Sequence, residues 1–137
     1  MKLSTINALC GVIQKIDTKE ISDAKVRTAL YNDYFYLRRF VKQAEADRQE
    51  VVSKFQQDWK DELAAVEAFR RENKPVEGHD AYLEAEKDAN KAISGIFDAE
   101  VEVNIKAVKI DAFMASYKGG VSFEEIAFLQ ENGVLEE

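Results

Sequence analysis

The chain contains very little of the residues that break helices or bind metals. Its 137 residues include one proline, one cysteine, one histidine and six glycines. The lone cysteine, Cys10, excludes an internal disulfide and fits a reducing, cytoplasmic location. A single histidine excludes the di-iron bundle site, which requires two Glu-x-x-His motifs. No apolar run approaches the roughly 20 residues of a transmembrane helix, so we expect no membrane association.

Sequence motifs of catalysis are missing as well. There is no Gly-rich phosphate loop, no Gly-x-Ser-x-Gly elbow and no Cys-x-x-Cys pair. We expect His79 to start a helix with its ring exposed to water, and Cys10 to be a small buried hydrophobe rather than a reactive thiol. The sequence therefore predicts no enzyme activity, no catalytic residue, no metal site and no cofactor.

One long stretch of the chain has no helix breaker. Residues 12–74 contain neither glycine nor proline. The apolar stripe of its first half consists of Leu30, Tyr34, Leu37, Val41 and Ala44. This spacing predicts a helix from about Ser22 to about Glu72 that packs on other helices. After Phe55 the stripe steps by four, four and three residues and drifts around the helix, so we expect the two halves to contact different segments.

The end of this stretch predicts a helical hairpin. Residues 73–78, Asn-Lys-Pro-Val-Glu-Gly, end the helix and reverse the chain. Helical spacing resumes from about His79 to Ala99, with many small residues. The sequence therefore predicts a long antiparallel hairpin.

Short helices are predicted toward both ends of the chain. Ser4 or Thr5 caps the first of them, in which Gly11 permits close helix contact. Ser122 and Glu125 form a capping box that opens the last one, and Asn132-Gly133 supplies a left-handed stop after it.

These elements predict a mainly α fold in a single domain. We place the hairpin core at about residues 22–99 and a C-terminal extension at residues 100–137.

The segment after the hairpin has a different periodicity. Val101, Val103 and Ile105 alternate with polar residues, and β-branched residues continue to Ile110, which predicts a single β-strand at about 101–110. The alternative is a helical stripe of Val101, Ile105, Val108 and Ala112. No second strand is evident, so an isolated strand would pair with its copy in a second subunit. This favours a homodimer.

Charge is unevenly distributed along this acidic chain, whose net charge is −7. Residues 25–42 carry five cations against one acid, whereas residues 119–137 carry five acids and no cation. The two regions are either separate solvated surfaces or attract one another, within a chain or between subunits.

The segment Tyr31–Phe40 interleaves aromatic residues with arginines. This pattern is compatible with internal packing, with protein binding, or with the stacking of nucleic-acid bases. The negative net charge weighs against nucleic acid. The candidate interaction surface combines this segment with the predicted strand, and its residues are Tyr31, Phe35, Tyr36, Arg38, Arg39, Phe40, Val101, Val103 and Ile105.

The order of elements resembles that of small bacteriophage- and prophage-encoded helical proteins of unknown function. The resemblance is carried by the Met1-Lys2-Leu3 start, the charged helical hairpin, the alternating segment Val101–Ile110 and the terminal helix Ser122–Leu129. It implies a phage or mobile-element protein that acts in particle assembly or against a host protein. It supplies no site residues.

From the sequence we predict a non-enzymatic protein-interaction or assembly factor that forms a homo-oligomer. Two alternatives are a nucleic-acid-associated protein that uses the basic aromatic band at residues 25–42, and an acidic inhibitor of a host enzyme.

Overall fold

The computed structural model describes all 137 residues, and most of them are helical. The helices are α1 (Leu3–Lys15), α2 (Ala24–Asp58), α3 (Lys60–Arg71), α4 (Asp80–Asp98), α5 (Ile110–Ser116) and α6 (Phe123–Glu131), with a 3₁₀ turn at Thr18–Glu20. Two short strands, β1 (Val108–Lys109) and β2 (Leu135–Glu136), complete the chain. The predicted mainly α fold is confirmed. None of the helices is both long enough and apolar enough to cross a membrane.

The first helix differs from the prediction at its cap. α1 begins at Leu3 after Lys2, which provides no side-chain cap, so neither Ser4 nor Thr5 has the predicted capping role. Gly11 faces open space, so it is not a point of close helix contact. Cys10 lies in the hydrophobic core as predicted, and burial raises the pKa of its thiol.

The long helix predicted from about Ser22 to about Glu72 is interrupted once. Trp59 leaves helical geometry, with φ −118° and ψ 23°, and separates α2 from α3. The break lies where the apolar stripe changes phase, and both Val66 after it and Tyr82 on α4 are buried. Phe55, which precedes the break, already contacts Tyr82, so the stripe faces α4 from the end of α2 onward.

The antiparallel hairpin is confirmed. The connection between α3 and α4 uses positive φ at Asn73 (57°) and Gly78 (77°), which reverses the chain in a few residues. The ring of Tyr82 on α4 contacts the rings of Phe55 and Trp59, with centroid distances of 5.2 and 5.9 Å.

The chain forms two compact units inside what the sequence predicts as a single domain. Unit 1 consists of Met1–Lys42 and Glu100–Glu137, and unit 2 consists of Gln43–Ala99. Unit 2 contains the last part of α2 together with α3 and α4. Unit 1 contains the hydrophobic core of fourteen buried residues: Ile6, Leu9, Cys10, Ile13, Ile16, Ile21, Val26, Leu30, Leu37, Val108, Phe113, Leu129, Val134 and Leu135. Unit 2 has three buried hydrophobic residues, Ala44, Val66 and Tyr82.

The strand predicted at 101–110 is reduced to the two residues of β1. Residues 101–107 have no regular secondary structure, yet their exposure alternates as the sequence pattern suggested, with Val101, Val103 and Ile105 half-buried. The alternation therefore reflects one-sided packing of an extended segment, not a hydrogen-bonded ladder. The remainder of the predicted strand, from Ile110, belongs to α5.

The short strand finds its partner within the same chain. β1 pairs in parallel with β2, with Val108 opposite Leu135 and Lys109 opposite Glu136. The amide of Val108 donates to the carbonyl of Val134 at 2.9 Å. Pairing with a second subunit is therefore not needed to satisfy this strand, and the sequence argument for a dimer through residues 101–110 loses its basis.

The C-terminal helix α6 agrees with its sequence signals. Ser122 and Glu125 form the capping box, and Gly133 has φ 81° just after the helix. Leu129 and, in the following strand, Leu135 are buried in unit 1, where α6 packs against α1.

Candidate functional site

The first half of α2 presents part of the predicted interaction segment to solvent. Tyr31 is 44% exposed and Phe35 is 57% exposed, whereas most aromatic side chains of the protein are half-buried or buried. Arg38 and Arg39 are also exposed, one turn further along. Residues spaced by three or four positions share a helix face, so these side chains form one continuous surface.

The aromatic rings of this surface stack on one another. Tyr31 and Phe35 are stacked with a centroid distance of 6.2 Å, and Phe35 meets Tyr34 edge-on at 5.4 Å. Arg38 lies over the Tyr34 ring, 5.8 Å from its centroid, and its Nη1 donates to the Tyr34 hydroxyl at 2.9 Å. The hydroxyls of Tyr31 and Thr18 are 2.9 Å apart and hydrogen-bonded. These contacts hold the rings in place without burying them.

We call this surface the outer stripe and define it as Tyr31, Phe35, Arg38, Arg39 and Lys42. Its last four residues line a shallow groove of about 330 Å³.

None of the cations of residues 25–42 forms an ion pair with an acidic side chain in the structure. Of the two alternatives for the basic region 25–42 and the acidic region 119–137, mutual attraction is therefore not seen as ion pairs within the chain. The outer stripe combines exposed aromatic surface with positive charge that has no acidic partner.

Two of the predicted surface residues belong to internal packing instead. Tyr36 and Phe40 lie against the core of unit 1 and meet edge-on with a centroid distance of 5.5 Å. The Tyr36 hydroxyl accepts a hydrogen bond of 3.0 Å from the backbone amide of Asn104. The Tyr36 hydroxyl therefore ties the extended segment 101–107 to α2.

The three candidate residues of that segment pack inward as well. Val101, Val103 and Ile105 are half-buried against the core of unit 1. The amide of Val101 donates to the carbonyl of Met1 at 2.9 Å. We therefore leave these residues out of the candidate surface, which is confined to the outer stripe and its surroundings.

An apolar groove lies beside the outer stripe. Its volume is about 170 Å³, and it is formed between α1 and α2 by Ile13, Gln14, Ile16, Thr18, Leu30, Tyr31 and Tyr34. Tyr31 belongs both to this groove and to the stripe, so an apolar group bound in the groove would lie next to the exposed rings.

Asp33 is a buried carboxylate, which counted in the sequence analysis only as the single acid among residues 25–42. It is 4% exposed, and its Oδ2 has no hydrogen-bond partner. Burial raises the pKa of Asp33 to about 6, although the backbone amide and the charge of Lys106 partly offset this effect. A signal was present, since Val26, Leu30, Asp33 and Leu37 follow steps of four, three and four, the spacing of a buried helix face.

Phe123 is a second residue whose exposure the sequence did not indicate. Phe123 is 90% exposed, although it is a large apolar residue of the capping-box helix. It is the first residue of α6, directly after the cap, and there it points away from the face that Leu129 buries. Met114 on α5, 51% exposed, is the other large apolar side chain outside α2 that is this accessible.

The single histidine of the chain makes contacts with neighbouring side chains. His79 precedes α4 as expected, but its ring is half-buried rather than exposed, because its Nδ1 is 3.1 Å from Oε2 of Glu62 and its ring contacts Phe69 edge-on. No three His, Cys, Asp or Glu side chains lie close enough together to hold a metal ion.

Comparisons with protein-family models, with curated proteins and with solved structures find no match to this chain.

Proposed function

We propose that this protein is a non-enzymatic protein-interaction or assembly factor whose outer stripe is the docking surface. The observation that carries the proposal is the coincidence of exposed, mutually stacked aromatic rings with arginines that have no acidic partner. Aromatic residues and arginine are the types most enriched at the energetically dominant positions of protein interfaces.

The rigidity of the stripe supports the same proposal. Its rings lie on a helix, and the Tyr31–Thr18 and Arg38–Tyr34 hydrogen bonds restrict their rotamers in the free protein. A surface that is already ordered loses less conformational entropy on binding. The adjacent apolar groove would receive one side chain of a partner, while the arginines would pair with acids around it.

The proposal is tested by site-specific photocrosslinking in the cells that make the protein. We expect p-benzoylphenylalanine at position 35 to form covalent adducts with protein on irradiation. The same group at position 114, also exposed and in unit 1, serves as the matched control and should form few. Absence of protein adducts from position 35 would contradict the proposal.

A nucleic-acid-associated function is the second candidate, favoured by the unpaired cations next to stackable rings. Exposed aromatics stack bases, and cations bind phosphates in a salt-dependent manner. This candidate predicts that fluorescence anisotropy detects single-stranded DNA or RNA binding at low salt, and that Arg38→Gln with Arg39→Gln weakens it. If the anisotropy of labelled oligonucleotides does not change at low salt, this candidate fails.

The proposal agrees with the role that the resemblance to phage-encoded proteins implies, in particle assembly or against a host protein. An assembly factor, or a protein directed at a host target, would act through such a surface in the cytoplasm. The buried, protonated thiol of Cys10 is compatible with that compartment.

A further inference from the structure

We infer that the outer stripe and its groove receive the first turn of α6 from a second copy of this chain. Phe123 is the apolar anchor, and Glu124 pairs with Arg38 of the receiving copy. The inference rests on the proposed function, because it names the partner of the same surface.

The receiving groove has the size and lining for one aromatic ring. Its volume is about 170 Å³, and apolar side chains such as Ile13, Ile16 and Leu30 form most of it. An apolar cavity of about 150 Å³ admits benzene in a well-studied protein. Tyr31 and Tyr34 also line the groove, so a third aromatic ring bound there would gain contacts with aromatic side chains.

The incoming side chain is exposed and lies at the start of a capped helix. Phe123 is 90% exposed, so nearly its whole ring is free to bind. The helix that carries it is fixed by the capping box, in which the Ser122 hydroxyl accepts from the Glu125 amide at 3.1 Å. A large aromatic side chain in contact with water raises the free energy of the free protein, and burial in an apolar groove removes that penalty.

Charge complementarity identifies the partner as a second copy. The cations of the outer stripe form no ion pairs within the chain, and neither do Glu124 and Glu131 of α6. Each copy thus has one basic surface with an apolar groove and one acidic surface with an apolar anchor. The opposite signs steer the two surfaces together and set their register.

The position of α6 on unit 1 allows a two-fold arrangement. Glu125 of α6 is 3.8 Å from Lys15, so the first turn of α6 lies beside the last turn of α1. The same turn of α1 contributes Ile13 and Gln14 to the receiving groove. Because one unit carries both anchor and groove, two copies that exchange Phe123 about a single two-fold axis would close the assembly as a dimer.

The first test is the solution mass by sedimentation equilibrium across a range of concentrations. We expect the wild-type protein to associate to twice its 15.6 kDa mass, and more weakly at high salt. Phe123→Ala and Arg38→Glu should each raise the dissociation constant by roughly tenfold or more, as expected for anchor residues. Circular dichroism should show unchanged helix content, since both side chains are exposed.

A second charge reversal, at Glu124, should restore the association that Arg38→Glu weakens. Arg38→Glu combined with Glu124→Arg restores the ion pair with opposite polarity, so the double variant should regain the dimer. Met114→Ala and Lys91→Glu are the matched controls for an exposed apolar and an exposed basic residue, and both should associate like the wild type. A wild-type monomer, a dimer that survives Phe123→Ala or Arg38→Glu, or a failed rescue would overturn the inference.

Crosslinking separates this inference from the proposed function. We expect p-benzoylphenylalanine at position 123 to link isotopically light and heavy copies, with adducts in the α1–α2 groove. If the protein is monomeric but position 35 still crosslinks to another protein, the second copy is excluded and the proposed function stands. If position 35 forms no protein adduct at all, the proposed function fails as well.

Discussion

At the scale of single residues, Asp33 is held in a position that disfavours its charge. The carboxylate lies on the buried face of α2, and Oδ2 has no hydrogen-bond partner. An ionised carboxylate that loses its hydration without gaining equivalent partners is destabilising. The protein therefore binds a proton at Asp33 more tightly than the unfolded chain does.

This predicts a defined pH dependence of stability. The pKa of Asp33 is raised from 3.8 to about 6, so the folded state holds more protons than the unfolded state between these values. The stabilisation from the protonated form is complete below pH 3.8 and is lost as the pH rises through 6. Asp33→Asn, which carries no charge, should raise the free energy of unfolding by about 1–3 kcal/mol at pH 7.5 and leave it nearly unchanged at pH 3.5.

Urea denaturation followed by circular dichroism at several pH values measures this effect. Asp88→Asn on the exposed side of α4 is the control, and it should not stabilise the protein at pH 7.5. A lower stability of Asp33→Asn at neutral pH would show that the ionised carboxylate contributes a favourable interaction.

At the scale of elements, two glycines near helices have opposite roles. Gly11 is inside α1, and a Cβ added there would meet nothing within 4 Å. Gly133 follows α6 with φ 81°, a conformation that side-chain-bearing residues rarely adopt. The first glycine only weakens its helix, whereas the second allows the helix to stop and β2 to follow.

Matched substitutions to alanine should therefore differ in sign. Gly11→Ala should stabilise the protein by about 0.5–1 kcal/mol, because alanine restricts the unfolded chain and favours the helix. Gly133→Ala should destabilise it by about 1 kcal/mol or more, because alanine is strained in the left-handed region. Chemical denaturation of both variants at one pH checks the pair, and equal signs would contradict the assigned roles.

Much of the local structure could be predicted from the sequence because its causes are local. The capping box at Ser122, the reversal at residues 73–78 and the stop at Gly133 each depend on a few adjacent residues, and the structure confirms them. The interruption at Trp59 has no breaker residue as a signal. Trp59 lies against Tyr82 of α4, a contact between segments that the local sequence does not indicate.

At the scale of the whole molecule, buried apolar residues are concentrated in one of the two units. The core of unit 1 contains fourteen buried residues, whereas Ala44, Val66 and Tyr82 are the buried hydrophobic residues of unit 2. Segments with fewer buried contacts open at lower free energy. Hydrogen exchange should therefore be slowest in unit 1 and faster throughout residues 43–99.

Tyr82 should dominate the stability of unit 2. Its ring is 1% exposed and contacts both Phe55 and Trp59, the only tryptophan of the chain. Tyr82→Ala should destabilise unit 2 by about 3–5 kcal/mol, because it leaves a large cavity. Trp59 fluorescence should then shift to longer wavelength, while the slowest-exchanging amides of unit 1 keep their protection.

Tyr82→Phe is the matched control, since it keeps the ring and removes only the hydroxyl. It should cost far less than the alanine variant and leave the Trp59 emission maximum almost unchanged. Equal effects of the two variants would mean that the hydroxyl, rather than ring packing, holds unit 2 together.

The candidate surface was only partly accessible to sequence reasoning. The pattern of aromatics and arginines indicated a stretch of α2 that carries exposed aromatic residues, but it could not separate Phe35, which is exposed, from Tyr36 and Phe40, which pack inward. Their positions depend on which side the extended segment 101–107 covers. The exposure of Phe123 was missed for the same reason, since its burial depends on neighbours distant in the chain.

By itself, the sequence determined the helical class of this protein, its hairpin and the capping box of α6, because periodicity, turn residues and this cap act over a few positions. Only the tertiary structure decided that β1 pairs with β2, that Asp33 is buried and that the outer stripe remains free. Each of these depends on contacts between segments far apart in the chain, and the residues concerned have no local preference strong enough to indicate them. The scarcity of helix breakers therefore predicted a mainly helical chain. Long-range packing decided which helix surface is available for binding.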